Sequence, residues 1–282
     1  KMLDPLFKKS FIDLRGQVLG WGIGMGFMLA LTVALYPSIS VAYSDMLDQM
    51  PEGLMAFLGD DISMDRLEGY ISVEFFSYAP VVVAIFAILA GTSSLTGEMT
   101  EGTMDLLLAQ PLSRVRVATM KLAALVAANV AMVAIMATGL WVPLAFMDVD
   151  AAHLRIVSTF VLLIPFMVGV AFASSLLAQL LGSRMFAGTM VAVVLVASYI
   201  LEALGNLNST IDAGRPLYVT AYYQGRQALV SEIEWSYLIP LVLAVPVLAA
   251  ITVAVFNRRD IGANSLVRLP RLLRKRSTNA LS

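Results

Sequence analysis

The sequence predicts an all-α, polytopic membrane protein with six transmembrane helices, an N-terminal interfacial helix, a short cytoplasmic helix between spans two and three, and both termini in the cytoplasm. Three observations predict this. The 282 residues are 59% hydrophobic and only 14% charged, with a mean hydropathy of +0.81, whereas soluble domains are about a quarter charged. Six apolar runs reach the ~20 residues that a helix needs to cross a hydrocarbon core of about 30 Å. They are continuous, not alternating, which favours helices over a β-barrel. With an even number of spans both termini share one side, and fifteen of the nineteen Lys and Arg residues then fall on that side, leaving Arg66, Arg155, Arg215 and Arg226 opposite. The positive-inside rule assigns the basic side to the cytoplasm.

Taken in order, residues 1–15 carry Leu3, Leu6, Phe7, Phe11 and Leu14 at helical spacing, with Lys8, Lys9 and Arg15 placed for headgroups. That is the pattern of a helix lying in the interface. The spans are expected at 16–36, 75–95, 118–147, 154–181, 185–204 and 237–256. The first run is too long for a signal-peptide core and reads as a retained helix. The third and fourth are long enough to tilt or project. Gly20, Gly22, Gly24 and Gly26 give span one overlapping small-xxx-small pairs, a face for close helix packing. Between spans one and two, Asp45, Asp48, Glu52, Asp60, Asp61, Asp65 and Glu68 read as the solvated face of a short outer helix backed by Met46, Leu47, Met50, Leu54, Phe57 and Leu58. A cation-binding patch is the alternative. A basic tail, 257–282, follows the last span.

Residues 97–115 are the most informative segment. Glu98 and Glu101 precede Gly102 and Thr103; Thr103 can cap a short helix with Asp105 in its first turn. Leu106, Leu107 and Leu108 give it an apolar surface, Pro111 ends it, and Ser113 and Arg114 follow. Leucines displayed on the cytoplasmic side need something to dock against.

This run of acids, Gly-Thr, acid, leucines, Pro and Ser-Arg resembles the coupling segment of ABC type-2 transporter permeases. Glu74, the Gly91 to Gly97 stretch, Arg215-Pro216-Leu217-Tyr218, Ala221-Tyr222-Tyr223 and the exit from Phe256 through Ile261 resemble other parts of that family in order, with Asn257 where a basic residue is common. The resemblance implies a permease subunit of an ATP-binding cassette exporter, embedded in a prokaryotic plasma membrane. It also implies pairing with a second permease copy or relative and with a separate ABC ATPase that binds ATP and Mg. Glu98, Glu101, Gly102, Thr103, Asp105, Leu106, Leu107, Leu108, Pro111 and Arg114 are then the ATPase-coupling residues. The translocation pathway implied between copies, along spans one, two and five, has Met25, Phe76, Val83, Met190 and Val194 as candidates. A hydrophobic or amphipathic cargo, a drug or lipid, suits so apolar a path.

The residues exclude other chemistry. No G-x-x-x-x-G-K-[ST] occurs, so the chain carries no phosphate-binding loop of that kind. Cysteine is absent. His153, near Asp148 and Asp150, is one ligand without a set. Asn208-Ser209-Thr210 fits a short glycosylation motif, and Gly91-Thr92-Ser93-Ser94 brings hydroxyls near a span end with no base beside them. No catalytic, cofactor or metal residue is assigned, and net charge −1 offers nothing to nucleic acid. Asn129, Ser174, Ser175 and Gln179 are the main polar residues at membrane depth, with Glu74 and Glu202 near helix ends. An ion-coupled secondary transporter would need coupling groups there. It remains an alternative, as does a sensing or mechanical role for the same permease.

Overall fold

The computed structural model describes residues 5–47, 66–97, 113–147, 149 and 151–258, which form helices and turns without a strand. Helix α1, Pro5–Leu47, is one unbroken element of 43 residues, about 65 Å at 1.5 Å per residue. The separate interfacial helix expected over 1–15 is therefore corrected: its described residues are the first turns of α1. No proline lies between Pro5 and Pro37, so no i→i−4 hydrogen bond is lost where a turn into the membrane was expected.

Helices α2 (Leu67–Glu74) and α3 (Ala79–Ser94) follow. The span expected over 75–95 is thus a shorter helix preceded by a break, and α2 and α3 meet at 53°. Pro80 stands in the first turn of α3, where its missing N–H costs nothing. On the other side, the N–H groups of Phe75 and Phe76 both donate to Ile71 O and close α2. The 16 residues of α3 reach only about 24 Å. Among the described residues, five helices are long and apolar enough to cross a bilayer alone, and up to six spans result when the bent pair counts as one.

Helices α4 (Arg114–Leu144), α5 (His153–Leu181) and α6 (Arg184–Gly205) lie within a few residues of expectation. A folded segment then holds α7 (Ser209–Asp212), 3-10 turns at Arg215–Leu217 and Val219–Tyr222, and α8 (Gly225–Val230). The last span is α9, Trp235–Arg258. The α5–α6 corner is built by Gly182 in the left-handed region (φ 66°), which ends α5, and by Ser183, whose hydroxyl accepts from Phe186 N at 3.3 Å.

Helix α5 is the centre, packed against α3, α4, α6, α8 and α9. Its apolar window is 61% buried, against 17% for α9. Small residues set the closest approaches. A Cβ on Gly139 of α4 would fall 1.9 Å from Gly26 O of α1, and one on Gly91 of α3 would fall 2.3 Å from Ala171 O of α5. The glycine stripe of α1 splits accordingly: Gly22 and Gly26 meet α4, while Gly20 and Gly24 face open space. Leu19, Ile23 and Phe27 on α1, Val193 on α6 and Leu243 on α9 are exposed, a wide apolar surface suited to hydrocarbon.

Candidate functional site

One end of the bundle gathers the start of α1, the end of α3, the starts of α4 and α6 and the end of α5. Residues 98–112 lie outside the described residues, so of the expected coupling residues only Arg114 is placed, as the first residue of α4. The two roots of that segment are well defined. Ser113 caps α4, its hydroxyl accepting from Arg116 N at 3.3 Å. Lys121, buried on the next turns of α4, donates from Nζ to the carbonyl of Ser94 at 3.0 Å. That carbonyl belongs to the negative end of α3, where a cation is favoured. Ser94 Oγ is 3.2 Å from Ser175 Oγ of α5. A cavity of about 270 Å³ opens beside these bonds, lined by Ser10, Asp13, Ser93, Gly97, Lys121 and Arg184.

The five pathway candidates are not brought together. Met25, Phe76 and Val83 are buried inside a single chain. Met190 and Val194 are exposed and line an apolar groove of about 470 Å³ between α5, α6 and α9, with Phe166, Leu177, Pro240 and Leu248 among its walls. The polar residues at membrane depth mostly bond their own helices: Asn129 Nδ2 donates to Leu125 O at 2.8 Å and Ser174 Oγ to Val170 O at 2.7 Å. The hydroxyls of Thr92, Ser93 and Ser94 likewise donate one turn back.

The opposite end is a polar cap laid over the helix ends. Arg155 Nη1 donates to Leu229 O at 3.2 Å and Thr159 Oγ1 to Gly225 O at 2.9 Å, fastening α8 to α5. Gln224, fully buried, bridges the segment by donating to Ala221 O (3.0 Å) and accepting from Glu234 N (3.1 Å). Glu68 corrects the reading of the outer acids. It is buried, not solvated, and its carboxylate accepts from the N–H of Ala152, capping α5. His153 stacks on Trp141 with centroids 5.4 Å apart. Asn208 caps α7 by accepting from Thr210 N at 2.9 Å. Among the described residues no cluster of three His, Cys, Asp or Glu forms a metal set.

Under this cap, α2, α3, α6 and α8 border a second, partly open cavity of about 290 Å³ whose walls include Phe76, Glu202, Arg215, Tyr223, Arg226 and Gln227. Glu202 sits in the field of both Arg215 and Arg226. Burial lowers the Arg226 guanidinium from its ordinary value while Glu202 and Tyr199 draw it back up. Burial also pushes the Tyr223 phenol far above its usual range, so it stays protonated. Sequence reasoning noted Glu202, Arg215, Tyr223 and Arg226 separately and missed this cavity. Asp212, Arg215 and Arg226, three of the five acidic or basic residues in the connection between the last two spans, were the available signal.

Residues 5–261 match the family described as ABC-2 family transporter protein. No curated protein matches the chain.

Proposed function

The chain belongs to the ABC-2 transporter family, and from that premise we propose that it is the permease subunit of an exporter driven by a separate ATPase. Membership makes it a multi-pass transmembrane transport component, which associates with an ABC ATPase and typically forms a dimer. The export direction, the cytoplasmic location of the termini and the cargo class are the proposal's own content.

The observation that carries the coupling role is the bonded junction at the roots of the 98–112 segment. Lys121 ties the end of α3 to the start of α4, and Ser94 meets Ser175 of α5. A displacement delivered to that segment therefore moves α3 and α4 together and reaches α5 through the Gly91–Ala171 contact. Glu98, Glu101 and Asp105 pair with basic groups on the ATPase. Leu106, Leu107 and Leu108 fill its groove, between the Gly102-Thr103 entry and the Pro111 to Arg114 exit. ATP and Mg stay on the partner, whose closure supplies the movement. The pathway lies between this chain and a second copy. The exposed Met190 and Val194 groove, nearly devoid of polar lining, fits a hydrophobic or amphipathic cargo. Met25, Phe76 and Val83 would join that pathway only if the helices part during the cycle.

Affinity purification of the tagged chain from its own membrane tests the reading. A protein bearing G-x-x-x-x-G-K-[ST] should co-elute and hydrolyse ATP. Elution of the permease without any ATPase under mild detergent would overturn it.

A further inference from the structure

Helices α6 and α9 both pack on α5 but barely touch one another. The apolar groove between them is a trough. Phe166, Gly169, Ala173 and Leu177 of α5 form its floor, Met190 and Val194 of α6 one wall, and Leu241, Ala244 and Leu248 of α9 the other. Small side chains open it: a Cβ on Gly169 would meet only Leu241 Cδ1 and Val245 Cγ2, each at an unstrained 3.9 Å. Along the same stretch Pro240 and Pro246 each remove an i→i−4 hydrogen bond from α9. The two walls are the least buried of the described long spans, at 22% and 17%. Met190 and Val194 are exposed, so the trough opens sideways to hydrocarbon.

The lining specifies the contents. Sites for drug-sized ligands carry a few placed polar groups that orient the guest. Among these lining residues Tyr222 alone has a hydroxyl, amide or charge, and its Oη is committed to Pro216 O at 2.7 Å. Nothing there orients a polar guest, whereas a plain hydrocarbon chain needs no such group. Apolar walls without a partner forfeit their dispersion contacts, and the medium beside them consists of acyl chains. The two ends of the trough differ. Val219 and Tyr222 of the cap roof one end. The other stops at Leu177 and Met190, about 6 Å from the end of α5 and about 9 Å from the start of α6 at 1.5 Å per residue. From Phe166 to Leu177 the floor runs about 16 Å, which is the depth of one leaflet in a hydrocarbon core about 30 Å thick. At the unroofed end α6 begins with Arg184 and α9 finishes with Arg258, both exposed. Their charge suits a lipid phosphate.

We infer that this trough binds one acyl chain of a phosphate-bearing membrane lipid, with the methyl end beneath the cap and the headgroup in the leaflet at the α5–α6 corner. The assignment stands on the lining and the unequal ends, whether or not the bound lipid is also what the permease moves.

The probe is phosphatidylglycerol with a diazirine on one acyl chain, placed either at the chain end or beside the carbonyl. It is added to the purified full-length protein in detergent, and adducts are mapped by mass spectrometry after illumination. The chain-end probe should label Phe166, Val219 and Tyr222, and the carbonyl-side probe Leu177 and Met190. Both should exceed labelling of the exposed Leu19, Ile23 and Phe27 on α1 by about tenfold or more. Excess unlabelled phosphatidylglycerol should displace both probes, whereas glycerophosphoglycerol, the headgroup without chains, should displace neither. Ala244→Phe puts a ring into the trough and should cut labelling there about tenfold, while Gly169→Ala, whose methyl has room, should keep it. Ala173→Leu blocks the trough from its floor and serves the same purpose if Ala244→Phe does not fold. Equal labelling of the trough and α1 would mean ordinary lipid contact and overturn the site. Reversed positions for the two probes, or full labelling in a folded blocked variant, would overturn it as well. So would a Val194→Cys variant that forms a disulfide-linked dimer in the membrane, because a second copy would then cover the trough.

Discussion

Gly139 and Gly20 are both helical glycines in apolar spans, yet the structure gives them opposite fates. A methyl on Gly139 would collide with the backbone of Gly26, whereas Gly20 faces nothing within 4 Å. Gly139→Ala should therefore force α1 and α4 apart and cost about 1–3 kcal/mol, as overpacking does. Gly20→Ala should be neutral or stabilising by about 0.5–1 kcal/mol. Unfolding midpoints in detergent decide it, and equal effects of the two substitutions would contradict the α1–α4 contact. Glu68 makes a second prediction. Its buried carboxylate accepts the Ala152 N–H, so Glu68→Ala should leave that group without its partner and cost about 1–3 kcal/mol. A solvated surface acid would give a change near zero in the same measurement.

At the scale of elements, the Lys121–Ser94 bond is the join that matters most for movement. Lys121→Met keeps the chain length and apolar stem but removes the donor. It should lower stability by about 1–3 kcal/mol and reduce ATP hydrolysis by the assembled transporter severalfold, read by comparing hydrolysis rates at equal ATPase content. Unchanged hydrolysis would mean that α3 and α4 need no such tie. The spans themselves were legible because a bilayer sets a length that runs of ~20 apolar residues disclose. Breaks inside apolar sequence were not. At the bend only Glu74 and Ser77 are polar, neither of which breaks a helix by itself, and Pro80, fitted for a helix first turn, hinted that α3 begins later. The continuity of α1 was hidden for a related reason. Leu6, Phe11 and Leu14 suit an interfacial helix and the first turns of a long one equally well, and only packing distinguishes them. The small-xxx-small stripe announced a close contact, but the choice of Gly22 and Gly26 over Gly20 and Gly24 depends on where α4 lies. The cavity under the cap could not be assembled from the sequence because Glu202, Arg215, Tyr223 and Arg226 come from separate elements that only the tertiary fold collects.

At the scale of the whole molecule, orientation and coupling decide the account. The chain has no cysteine, so single cysteines report topology cleanly. Ser209→Cys, at the capped end, should react with an impermeant reagent in intact cells, and Arg114→Cys only after lysis. The reverse labelling would invert the molecule and place the 97–115 segment away from any cytoplasmic ATPase. The most direct test of the central claim is retention of the ATPase by permease variants at Leu108, read as ATP hydrolysis in reconstituted vesicles. Leu108→Asp would bury an unpaired charge in the docking contact, at a cost of about 3–5 kcal/mol, while Leu108→Met conserves volume and polarity. The account predicts that both variants insert and melt as the unmodified chain does, that Leu108→Met keeps its ATPase, and that Leu108→Asp loses bound ATPase and hydrolysis by about a hundredfold or more. Full ATPase retention and hydrolysis with Leu108→Asp would contradict it.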